Sequence, residues 1–123
     1  MSETTHAGGR SFRAWIQNES GSGRGRGGIG WFTVSDQGLS IRPWSPIRWW
    51  IPERSASKDA VGVISVDQIL HVYLPIIRWR RRETVRFENP DCPLSGVVIE
   101  LRRRARIVDE LRAQGYAVMD KRQ

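Results

Sequence analysis

The residues best equipped for chemistry in this chain are arginines beside an aromatic: Arg78, Trp79, Arg80, Arg81 and Arg82, in one unbroken run. Guanidinium groups fork onto phosphate or carboxylate oxygens, and an adjacent indole inserts at a lipid interface or stacks on a base. The chemistry implied is capture of an anion rather than bond-making. The bland account is a solvated loop whose charges keep the protein in solution. A second basic group, Arg102, Arg103, Arg104 and Arg106, lies where helical spacing begins. On a helix those side chains point around much of the circumference, and salt bridges to Asp109 and Glu110 would account for them. The two groups make one site only if the fold sets them side by side.

Three Trp residues form the other candidate surface. Trp44, Trp49 and Trp50 stand among three prolines over residues 43–52. On a strand, adjacent Trp49 and Trp50 face opposite sides, so one is core and the other exposed. Aromatic residues are enriched at interface hot spots, which makes this region a candidate contact surface, with core packing as the competing account. Residues 21–28, Gly-rich with Arg24 and Arg26, look superficially like a phosphate-cradling loop. They lack the Lys-Ser or Lys-Thr of a P-loop and a following helix, and read as a flexible linker.

Groups that would run a reaction do not cluster. Cys92 is the single cysteine, which rules out an intramolecular disulfide and a Cys-based zinc site. His6 and His71 are far apart, and Asp67, Asp91, Asp109 and Glu110 are scattered. No catalytic residue, metal site or cofactor is expected.

The chain has 123 residues, a length suited to one domain, and a net charge of +7 from 20 basic and 13 acidic residues. Lys58 and Lys121 are the only lysines. So Arg-rich a composition is expected of GC-rich coding as much as of a binding function, which halves the weight of the charge, yet a positive field favours anionic partners. No apolar run of 18 residues occurs, and the start, MSETTHAGGR, lacks the apolar core of a signal peptide. The expected setting is cytoplasmic, with peripheral attachment at the inner membrane face if the arginines meet lipid.

The elements that must position these residues are mostly short strands. Residues 1–28 are expected to form a flexible Gly/Arg-rich segment with an edge strand at 12–16, contributing little to the core. Residues 29–119 are expected to form a single β domain. Residues 31–34 and 39–42 alternate as two half-buried strands around the turn at Ser35, Asp36, Gln37 and Gly38, where Gly supplies a positive φ. Further strands are expected at 47–51, 61–66, 69–74, 83–87 and 96–101, with a polar loop at 53–59 and a basic turn at 75–82. A helix at about 102–114 aligns Ala105, Ile107, Val108 and Leu111 as its apolar stripe and stops at Gly115. Three arginines at its start oppose the macrodipole, which favours a true start nearer Ala105. Residues 116–119 should pack back on the sheet.

Three stretches resemble the pleckstrin-homology-like (PH-like) barrels of bacteria: the hairpin at 30–39, the bent strand at 64–72, and the last strand with its plugging helix at 97–115. The resemblance implies a small PH-like β-barrel or curled antiparallel sheet closed by one C-terminal helix. It also implies a non-catalytic domain that binds lipid, peptide or another subunit. The phosphoinositide motif of eukaryotic members is not recognisable, so that specificity is not carried over. The expected function is a non-catalytic binding or assembly module recruited to an anionic lipid surface or a protein partner. Homo- or hetero-oligomerisation through the Trp-rich surface is the alternative, and weak nucleic-acid binding through the Arg clusters a further one.

Overall fold

The computed structural model describes residues 9–18, 27–44, 53–73 and 78–122; the side chains of residues 70–81 lie outside that description. Eight strands form one sheet: β1 (Arg10–Asn18), β2 (Gly27–Val34), β3 (Gly38–Pro43), β4 (Arg54–Ser57), β5 (Val63–Tyr73), β6 (Arg78–Phe87), β7 (Val97–Arg102) and β8 (Ala117–Asp120). Their order across the sheet is β4-β3-β2-β1-β7-β6-β5-β8. Every neighbouring pair is antiparallel except β5 with β8, which is parallel. The sheet is therefore curled and mainly antiparallel, but it is not a closed barrel.

The curl follows from one short connection. β4 ends one side of the sheet and β5 lies next to the other end, yet only the single turn α1 (Lys58–Val61) and Gly62 join them. Gly62 has φ +71, a left-handed value that suits Gly at this corner. The two sheet ends must therefore lie close together, and side-chain contacts tie them. Tyr116, just before β8, donates its hydroxyl to the Ser35 carbonyl of the β2–β3 turn at 2.7 Å. Lys58 donates to the Gln114 carbonyl and lies 5.2 Å from the centre of the Tyr116 ring.

Inside the curl, alternate positions of each strand build the core. Phe12, Ala14 and Ile16 of β1 meet Phe32 and Val34 of β2, Leu39 and Ile41 of β3, and Val85 and Ile99 of β6 and β7. β1 is thus an interior strand, not an edge, and Phe12, Ala14 and Ile16 belong to the core of the domain. The alternation Phe12, Ala14, Ile16 buries one face while Arg13 and Trp15 take the other.

The terminal helix is shorter than its sequence spacing suggests. Arg102 ends β7, Arg103–Ala105 form one 3-10 turn, and α2 spans Ile107–Ala113. Arg106 between them has φ 52, so the helical path is interrupted there and the second basic group stays outside α2. Ile107, Val108 and Leu111 are buried, each stabilising the fold by about 2 kcal/mol in removed apolar area. Gly115, at φ +90, ends the helix and turns the chain into β8.

Two further stretches differ from the sequence expectation. Residues 53–59, expected as a loop, hold β4 and the start of α1; residues 78–82, expected as a turn, lie inside β6. β6 pairs with β5 along its whole length and with β7 from Arg82 to Arg86, and the ladder with β5 satisfies backbone groups that a turn would leave to solvent. Residues 63–73 form one continuous strand. Beyond β8, Arg122 donates to buried Glu83 at 2.6 Å and to Asp120 at 2.8 Å. The hydrogen bonds from Arg122 hold the Asp120 carboxyl down at about 2, against partial desolvation. Among the described residues, no helix is long and apolar enough to cross a membrane.

Candidate anion-binding groove

β1 and β7 pair only through residues 15–18 with 97–100. Beyond Trp15 and Glu100 the ladder stops, while β1 continues along β2 and β7 continues along β6. Two residues further on, β7 ends and the 3-10 segment leads to α2. A groove of about 870 Å³ opens at the parting. Phe12, Arg13, Ala14 and Trp15 form one wall, Glu100 and Arg102 the other, and Arg82, Arg104, Ala105 and Ile29 complete it.

Charge in the groove is one-sided. Arg82 and Arg102 are direct partners in the β6–β7 register, and Arg13 and Arg104 line the same space. Like charges placed opposite each other across strands oppose folding. The lining holds a single carboxylate, Glu100, which is buried. Four guanidinium groups against one carboxylate make a cavity that favours a bound anion, with forked donors suited to phosphate or carboxylate oxygens.

Apolar surface adjoins the cations. Trp15 is 38% exposed and Ile29 is 46% exposed. The Trp15 indole N–H donates to Gln17 Oε1 at 3.1 Å. A side chain at Gly27 would begin 2.9 Å from that nitrogen, so the absence of one at Gly27 lets the indole lie over β2. Arg13 sits 5.7 Å from the centre of the Trp31 ring, a cation–π contact that places its guanidinium on the sheet surface.

Of the residues singled out in sequence, Arg82 enters the groove and meets Arg102 and Arg104 of the second basic group. Arg78, Trp79, Arg80 and Arg81 occupy consecutive β6 positions opposite Tyr73, Val72, His71 and Leu70; how their side chains act lies outside the described residues. Trp44 is 53% exposed just after β3, its backbone N–H donating to the Ile29 carbonyl at 3.0 Å. Trp49 and Trp50 lie outside the described residues, as do Arg24 and Arg26. Arg103 and Arg106 are exposed but do not line the groove. Glu110, expected to serve the arginines of its own helix, pairs with Arg10 of β1 at 3.5 Å.

Arg13, Trp15 and Ile29 are the site residues that sequence reasoning passed over. The signal was present in the alternation of residues 12–16, which puts Arg13 and Trp15 together on the face opposite Phe12, Ala14 and Ile16. Cys92, by contrast, is buried, and its sulfur accepts the Leu94 N–H at 3.4 Å. Among the described residues no group of three His, Cys, Asp or Glu side chains is placed to hold a metal ion. The chain matches no protein-family model, no curated protein and no solved structure.

Proposed function

We propose that this chain is a non-catalytic binding module that captures an anionic partner in the groove between β1 and β7. The observation that carries the reading is the register pairing of Arg82 with Arg102, flanked by Arg13 and Arg104, against the single carboxylate of Glu100. The lining residues offer cations, aromatic surface and one buried acid, a set suited to holding a ligand. They offer no nucleophile paired with a base.

A PH-like identity fits the same reading. A curled sheet followed by a C-terminal helix is the plan that the resemblance implies, and α2 fills the curl with Ile107, Val108 and Leu111. β8, added after the helix and parallel to β5, is a departure from that plan. A peripheral membrane role is one form of the proposal, in which the anion is a lipid head group.

The test is binding of the full chain to anionic vesicles, inorganic polyphosphate and oligonucleotides at low salt. Binding to at least one, weakened about tenfold or more by Arg82→Gln with Arg102→Gln, is the expected result. A chain that binds none of these polyanions contradicts the proposal.

A further inference from the structure

We infer that the anion held in this groove is single-stranded nucleic acid, with phosphates on the arginines and bases against Trp15 and Trp31; the inference rests on the anion-binding reading above. It follows from how the groove continues across the outer face of the sheet. Arg42 of β3 is the register partner of Trp31 in β2, and Trp31 is the register partner of Arg13 in β1. Arg13 and Arg102 then line the two sides of the groove, and Arg102 is the register partner of Arg82 in β6. Cations and an aromatic therefore follow one another in a row across five adjacent strands. At the usual spacing between strands that row would be about 20 Å long, and the parting of β1 from β7 lengthens it.

Arginines in a row with Trp31 among them and Trp15 beside it match a ligand that carries both charges and flat apolar faces. Single-stranded nucleic acid is such a ligand, and stacking on aromatic side chains tolerates any base. Trp15, in the next row with Ile29 and Glu100 as register partners, lies over Gly27 and remains exposed. A duplex would present its phosphates to the arginines but keep its bases from the indoles.

Shape separates this ligand from a membrane. The core lies inside the curl, so the outer face that carries the row is convex. A flat bilayer touches a convex face along a narrow strip, whereas a flexible chain can bend along the whole row and enter the groove.

The experiment measures the affinity of the full chain for fluorescent 12-residue thymidine and uridine oligomers, for polyphosphate and for vesicles rich in anionic lipid. Each is repeated with Trp15→Ala and Trp15→Phe. Oligomers should bind more tightly than polyphosphate or vesicles, with steep salt dependence. Trp15→Ala should lower the ratio of oligomer to polyphosphate affinity about tenfold, and Trp15→Phe should restore most of it. An unchanged melting temperature shows that Trp15→Ala remains folded; should it fall, Trp15→Leu, which keeps apolar bulk without a ring face, takes its place, and a ratio equal to wild type overturns the inference. If polyphosphate binds as well as the oligomers and the ratio does not move with Trp15, the inference fails while anion capture survives. Preference for vesicles also overturns it, in favour of a lipid head group. Binding to no polyanion defeats both readings.

Discussion

Tyr116 links the two ends of the sheet through its hydroxyl, which donates to the Ser35 carbonyl at 2.7 Å. Burial first, and then the negative charge of Asp36, push its pKa up to about 12 from an ordinary 10.0. The folded state therefore favours the neutral phenol. Stability from this group is complete below pH 10 and is lost as the pH rises through about 12. Tyr116→Phe should cost about 1 kcal/mol at neutral pH through the lost hydrogen bond. It should also flatten the alkaline fall in stability. Urea unfolding from pH 8 to 12 measures both effects, and parallel pH curves for the two proteins would contradict this assignment. Gly38 shows why residue type alone can mislead. Its place in the turn suggested a positive φ, but it is not among the positive-φ glycines. What it provides is space: an added Cβ would collide with the Ala56 carbonyl oxygen of β4.

At the scale of elements, α2 contributes Ile107, Val108 and Leu111 to the core of the curled sheet. Leu111 is fully buried on its apolar stripe beside Ile107 and Val108. Leu111→Asp puts a charge there without a partner and should destabilise the domain by several kcal/mol, enough to unfold it. A native melting temperature in that variant would contradict the placement of the helix. The stripe was legible because apolar residues recur at helical spacing. The β2–β3 hairpin was legible for a similar reason, since aromatic and β-branched residues alternate around a polar turn. β6 was not, because its first five residues, Arg-Trp-Arg-Arg-Arg, do not alternate in polarity. Pairing with β5 along the whole run, joined by β7 at Arg82, makes it a strand, and such pairing is a tertiary property. β4 and α1 have four residues each, too few for a periodic pattern to emerge.

At the scale of the molecule, the site exists because β7 docks beside β1. That pairing joins the first strand of the chain to a strand near its end, and it brings Arg13 to Arg102 and Arg104. Neither partner signals the other in sequence, since register between distant strands is fixed by the closing of the whole sheet. The basic groups could be listed from the sequence, but their meeting at Arg82 and Arg102 could not. The excess charge of +7 attracts polyanions to every face of the protein, so binding alone does not locate the site. The most direct test of the central claim is therefore a titration of the isotope-labelled chain with short polyphosphate, followed by backbone amide shifts. Anion capture in the groove predicts that the largest shifts fall at residues 12–15, at Arg82 and at residues 100–105, and that they shrink in the Arg82→Gln, Arg102→Gln variant. Shifts centred on α2, or spread evenly over the basic surface, would contradict it.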